Sequence, residues 1–163
     1  KMSLFQPSRF QSVLRTAQRF MTGKTWKVTG LNHVAIAVPS VEKAAQFYRE
    51  TYGVEVDAPK KAEAHGVCFA FVHMGNTKIE LISPLNDKSP IAKFMEKNKN
   101  GGMHHICVEV DNLNAAIDGM KEKKIRFTAP EPKIGASGVP VIFAHPKDTH
   151  AVLTELEACH ASK

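Results

Sequence analysis

Residues 101–110 read GGMHHICVEV: a glycine pair, then a β-branched-rich run that opens on two histidines. An earlier stretch, residues 31–38, reads LNHVAIAV. Shifted by 72 positions, His33 falls on His105, Val34 on Ile106, Ile36 on Val108 and Val38 on Val110. One strand written twice, each copy with a histidine near its start, marks a duplicated module whose copies each bring a ligand to one site.

The pattern around each copy repeats too. After the first strand, Ser40 can cap a helix whose apolar stripe is Val41, Ala44, Ala45, Tyr48 and Tyr52, and Gly53 ends it. Residues 54–56 form a short strand and residues 60–65 a polar connection. Residues 67–73 and 78–83 are strands joined by the turn signal Met74-Gly75-Asn76-Thr77. After the second copy, Asp111 or Asn112 caps a helix with Leu113, Ala116, Ile117 and Met120 on one stripe. Residues 125–128 are short and extended, and 129–138 are a Pro/Gly loop. Residues 139–144 and 151–156 are strands around His145-Pro146-Lys147-Asp148.

Between the copies, Ser89 and Pro90 start a linker helix of about residues 89–98, which Asn100-Gly101-Gly102 breaks. The expected fold is α+β: two tandem βαβββ modules, about residues 30–85 and 101–158, sharing one cupped mixed sheet.

Bulk properties exclude several functions. No apolar run approaches the ~20 residues of a membrane-spanning helix. The formal charge of +6 is confined to one end. Residues 1–30 hold Lys1, Arg9, Arg15, Arg19, Lys24 and Lys27 and no acid, and the remaining 16 basic residues meet 16 acidic ones. A nucleic-acid surface is therefore not expected. Residues 1–29 instead have the acid-free, Arg- and Ser-bearing amphipathic character of a mitochondrial transit peptide, which implies a matrix location. The three cysteines, Cys68, Cys107 and Cys159, show no paired spacing, as in a reducing compartment.

Each module opens on a strand histidine and closes on a strand glutamate: His33 with Glu80, His105 with Glu155. An inward carboxylate in the apolar runs around Glu80 and Glu155 is costly without a partner. Two imidazoles and two carboxylates suit a borderline divalent ion, leaving one or two positions for water or substrate. His104, one residue before His105, is expected on the other side of the strand in a supporting role, with Asn32 as its repeat equivalent. Lys147, in the HPKD turn, is a candidate contact for a substrate phosphate. No nucleophile elbow, phosphate-cradling loop or dinucleotide fingerprint occurs, so the chemistry expected is metal-polarised proton transfer.

These parts resemble the vicinal oxygen chelate superfamily. LNHVAIAV (31–38), NTKIELISPL (76–85), SPIAKFMEKNKNGGMHHICVEVDN (89–112), KIGASGVPVIFAHPKD (133–148) and VLTELE (152–157) resemble more narrowly the mitochondrial methylmalonyl-CoA epimerases of animals. That resemblance spans roughly residues 30–158. It implies a homodimer with one metal ion per subunit, Co²⁺ before Zn²⁺, Mn²⁺ or Ni²⁺. It implies methylmalonyl-CoA as substrate, epimerised in propionate breakdown. His33, His105 and Glu155 match the family's ligands, and Glu80 falls where bacterial relatives carry a glutamine ligand. One departure stands out: Phe69 occupies the place of a bacterial glutamate base. Glu155 is then the first proton carrier and Glu80 the expected second.

Other readings of the same residues are a glyoxalase-type isomerase acting on a glutathione hemithioacetal, a non-haem iron dioxygenase, and a non-catalytic ligand-sequestering module. A ligating Glu80 argues against the dioxygenase, because it fills a position oxygen needs. Four inward metal-ligand side chains argue against sequestration alone.

Overall fold

Strand β1 (Val28–Ala37) and strand β5 (Gly102–Val110) carry the two copies of the repeat, and they pair antiparallel at the middle of one eight-stranded sheet. The computed structural model describes residues 25–159. Most of the expected leader, residues 1–24, and His160 lie outside the described residues. β1 begins at Val28, before the residue at which the domain was expected to start. Lys27 and Asp111 exchange hydrogen bonds (2.8 and 3.2 Å), tying this end to the second half.

The remaining strands are β2 (Lys60–Ala62), β3 (Val67–His73), β4 (Lys78–Pro84), β6 (Lys133–Ile134), β7 (Pro140–Ala144) and β8 (Thr154–Ala158). Their order is β2-β3-β4-β1-β5-β8-β7-β6, so each half mirrors the other across the β1–β5 seam. β4 runs parallel to β1 and β8 parallel to β5. The curled mixed sheet of paired modules is the expected fold.

Two short strands differ from expectation. Residues 54–56 contribute only one bridge, Val56 to Val72, and the edge strand lies later, at Lys60–Ala62. Residues 125–128 likewise contribute only Phe127 to Ala144, and β6 lies inside the expected Pro/Gly loop. Lys60, Lys61 and Lys133 give these edges a loop-like composition, as exposed edge strands often have.

Helix α1 (Val41–Phe47) starts where Ser40 Oγ accepts from Lys43 N at 3.3 Å. A wide turn, Tyr48–Tyr52, extends it until Gly53 turns left-handed at φ +64°. Val41 and Ala45 pack against Ala70, Val72 and Leu81. α2 (Ala92–Lys97) is the linker helix, with Ser89 making a turn just before it. In α3 (Leu113–Glu122), Asn112 rather than Asp111 is the cap, its Oδ1 accepting from Ala115 N at 3.0 Å. Leu113, Ala116 and Ile117 pack against Val110, Ile142 and Leu156. One sheet face is thus sealed by α1 and α3. On the other, Ala35, Ala37, Phe69, Ile82 and Ile91 cluster, and the remainder of that face is left for polar groups.

Candidate metal centre

Strand alternation puts His33 and Ala35 of β1 on the uncovered face, with Glu80 beside Ala35 in register. The second half repeats this: His105 and Cys107 share the face, and Glu155 lies beside Cys107. Because β1 and β5 are antiparallel neighbours, with Ala35 opposite His105 and His33 opposite Cys107, the two pairs meet at the seam.

All four side chains are buried. His33 Nε2 lies 3.4 Å from His105 Nε2, and 3.5 Å from both Glu80 Oε2 and Glu155 Oε2. His105 Nε2 lies 3.1 Å from Glu155 Oε2 and 3.8 Å from Glu80 Oε2. Ligand bonds of ~2.0–2.1 Å around one ion give edges of about 3.0–3.4 Å between neighbouring donors. The cluster has nearly that spacing before any ion is considered. Among the described ion pairs, neither glutamate is matched by a lysine or arginine. Two buried carboxylates whose ion-pair partners among the described residues are imidazoles alone are compensated well by a divalent cation. The donor set fits such an ion, with His33, Glu80 and His105 as one compact group. Cys107 Sγ stands close enough to His33 and Glu155 to form another.

The surroundings treat the two carboxyls differently. Burial would raise the Glu155 carboxyl, but the imidazoles of His105 and His33 outweigh it and hold it at about 2. Burial dominates at Glu80, whose carboxyl is raised despite the same imidazoles. Burial raises the Cys107 thiol strongly, with Glu155 and Glu157 adding to the effect, so it stays protonated.

Each imidazole is framed by an aromatic edge. Phe71 meets His33 at 5.7 Å between ring centres, and Phe143 meets His105 at 5.2 Å. These phenylalanines lie opposite Glu80 and Glu155 in register. The same repeat offset that pairs the histidines also pairs them, a signal present in the sequence. Phe69 belongs to the apolar cluster, its ring edge-on to Phe71 at 5.8 Å, so no carboxylate occupies that place.

His104 lies elsewhere than strand alternation predicts. Its Nδ1 is 2.8 Å from His105 Nδ1. In the β1–β5 register, Ala35 opposes His105 and Ile36 opposes Met103, so His104 is an extra residue on β5. That bulge turns it toward its neighbour instead of the far face. Asn32 is handled alike: Leu31 opposes Val108 and His33 opposes Cys107. Asn32 Oδ1 lies 2.9 Å from His33 Nδ1. Sequence reasoning also missed Glu157, two residues past Glu155 and almost fully buried, which accepts from Asn32 Nδ2 at 3.3 Å and Ser137 Oγ at 3.3 Å.

The cluster opens into a cavity of about 970 Å³ that reaches Glu63, His65 and Lys88 from the first half and Lys133 and Ser137 from the second. Lys147 is exposed on the 3₁₀ turn Pro146–Asp148 and does not line this cavity.

A family model described as the glyoxalase/bleomycin resistance protein/dioxygenase superfamily matches residues 32–143. The chain is 58% identical over 137 residues to human mitochondrial methylmalonyl-CoA epimerase, covering 84% of this chain and 78% of the human one. It is 56% identical over 128 residues to the ethylmalonyl-CoA/methylmalonyl-CoA epimerase of Cereibacter sphaeroides, covering 78% of this chain and 96% of that one. Among solved structures, a Streptomyces coelicolor methylmalonyl-CoA epimerase variant in complex with 2-nitronate-propionyl-CoA superposes with a TM-score of 0.75 at 32% identity, covering 83% of this chain and 100% of the other.

Proposed function

The chain belongs to the methylmalonyl-CoA epimerases of the glyoxalase/bleomycin resistance protein/dioxygenase superfamily, and from that premise we propose that it interconverts (R)- and (S)-methylmalonyl-CoA in propionate breakdown. One observation carries the reading: His33 Nε2 lies 3.5 Å from a carboxylate of each half. Epimerisation requires a proton to leave one face of C2 and return on the other, and two carboxylates from opposite sides of a seam are suited to that task.

His33, His105, Glu80 and Glu155 would hold a divalent ion, Co²⁺ first, with Zn²⁺, Mn²⁺ or Ni²⁺ as alternatives. When bound, the ion is a Lewis acid that polarises the oxygens flanking C2 and makes its proton more acidic. The chain's own residues move that proton. The Oε2 atoms face the imidazoles, which leaves an Oε1 on each carboxylate to receive it. Glu155 is the first choice of base and Glu80 the second, each ionised when it holds the ion. One takes the C2 proton, the C–H electron pair delocalises onto the thioester oxygen as an enolate, and the other returns a proton to the opposite face. In the reverse direction their roles exchange. Phe71 and Phe143 crowd water from the imidazoles.

The cavity is large enough to admit the acyl end of a coenzyme A thioester. A Lys147–phosphate contact requires the nucleotide end to extend beyond the cavity lining. A homodimer in the mitochondrial matrix follows from the family resemblance, and sedimentation at one chain mass would rule the dimer out.

The decisive experiment is solvent deuterium entry at C2 of methylmalonyl-CoA. Glu155→Gln is expected to lower exchange by at least ~10². Unchanged exchange would remove Glu155 from its role. Isomerisation of a glutathione hemithioacetal, with no deuterium entry into methylmalonyl-CoA, would favour the glyoxalase reading.

A further inference from the structure

Each imidazole of the cluster has its far nitrogen held by the residue just before it. His33 Nδ1 lies 2.9 Å from Asn32 Oδ1, and His105 Nδ1 lies 2.8 Å from His104 Nδ1. We propose that Asn32 and His104 are positioning residues that keep a proton on Nδ1 of His33 and His105, and so commit both Nε2 atoms to the metal.

The hydrogen-bond inventory fixes the sense of the first contact. Asn32 Nδ2 donates to Glu109 Oε1 at 2.6 Å and to Glu157 Oε1 at 3.3 Å. Carboxylates only accept, so the amide nitrogen must face them and the amide oxygen must face His33. An amide oxygen only accepts, so His33 Nδ1 must be the donor. Asn32 and Glu157 are both buried, at 8% and 2% exposure, and water does not substitute freely for either. Two carboxylates behind the amide also polarise it, which strengthens its hold on the Nδ1 proton and makes Nε2 a better donor to a cation.

The second half reaches the same contact by different means. His104 takes the repeat position of Asn32, and its ring stands edge-on against Phe94, 5.0 Å between centres. That packing fixes the ring plane. With an ion on His105 Nε2 in place of a proton shared with Glu155, the ring's proton would sit on Nδ1, and His104 Nδ1, 2.8 Å away, would accept it. In both halves a bulge in the seam makes the contact possible, because a regular strand would send adjacent side chains to opposite faces.

This inference rests on the reading of His33 and His105 as ligands, and the test separates the two. Zn²⁺ affinity is measured by competition with a chromophoric chelator, and imidazole N–H protons are observed by ¹H–¹⁵N NMR in the Zn²⁺-loaded protein. Asn32→Leu and His104→Leu are each expected to weaken Zn²⁺ binding 10–100-fold, as losses of outer supports do. The exchange-protected Nδ1–H signal of His33 should vanish in the first and that of His105 in the second. His104→Asn, which gives the second half the chemistry of the first, should keep the His105 signal and bind Zn²⁺ at least about tenfold more tightly than His104→Leu. Should Asn32→Leu fail to fold, Asn32→Ala takes its place, and the His104 pair tests the second half independently. Folded variants with wild-type affinity and both N–H signals intact would overturn the positioning roles alone. A wild-type protein that does not bind Zn²⁺ would overturn the ligand reading and this inference with it.

Discussion

Glu80 and Glu155 occupy matching places in two halves, yet their carboxyls are driven in opposite directions. Glu155 has imidazole nitrogens at 3.1 and 3.5 Å, whereas Glu80 has them at 3.5 and 3.8 Å. A few tenths of an ångström decide whether desolvation or attraction dominates in a buried place. The consequence for stability has a definite sign. Glu80 is raised in the folded chain, so its contribution is greatest at acid pH and is lost as pH rises from about 4 through its folded value. Glu155 is lowered, so its contribution is present above about 4 and is lost as pH falls toward about 2. In the metal-free protein at neutral pH, Glu80→Gln is therefore expected to raise the melting temperature, with the gain vanishing near pH 4. With Zn²⁺ present the order reverses, because a ligand has gone. Calorimetry showing Glu80→Gln below wild type in chelator at neutral pH would contradict this account. The histidines and glutamates were legible from their repeat and from the cost of burying a carboxylate. Lys147 is a different case: it is exposed on the Pro146–Asp148 turn, outside the cavity lining.

Elements account for the next scale. Period-two patterning located the longer strands, and Ser40 and Gly53 bounded α1. Patterning failed at β2 and β6. A two- or three-residue edge strand has little side-chain signature, and its existence depends on β3 or β7 offering free backbone groups. It failed again at the bulges, where neither Asn32 nor His104 is a residue type that announces an irregularity. Gly101 has a more readable reason. Expected as a helix stop, it has φ +89°, and an added Cβ would clash with Ala37 O. The linker can enter β5 beside the end of β1 only because that position lacks a side chain. Gly101→Ala is expected to destabilise the fold by at least ~2 kcal/mol, from left-handed backbone strain and the contact with Ala37 together. That corresponds to a fall of about 4–8 °C in melting temperature. A variant melting with wild type would show that the linker can be rerouted.

At the scale of the whole molecule, the site belongs to neither half. Each module supplies one imidazole and one carboxylate, and the seam joins them. A bound ion therefore ties the halves together. Zn²⁺ or Co²⁺ at a hundred times its dissociation constant should stabilise the fold by ~2.7 kcal/mol. The melting temperature should rise by roughly 5–10 °C, reversed by chelator. A melting temperature indifferent to both treatments would mean that the cluster holds no ion. The duplication, the imidazole and carboxylate side chains of the cluster, the Ser40 cap and the family resemblance could all be read along the chain, because each is a local or periodic property; the Ser89 start could not, since the linker helix begins at Ala92 with no side-chain cap. The antiparallel pairing of β1 with β5, the bulges that turn Asn32 and His104 toward the imidazoles, and the unequal carboxyls were decided only in three dimensions. The reason is physical: strand alternation is set by neighbours in sequence, whereas register and burial are set by backbone and charges that folding brings from far along the chain.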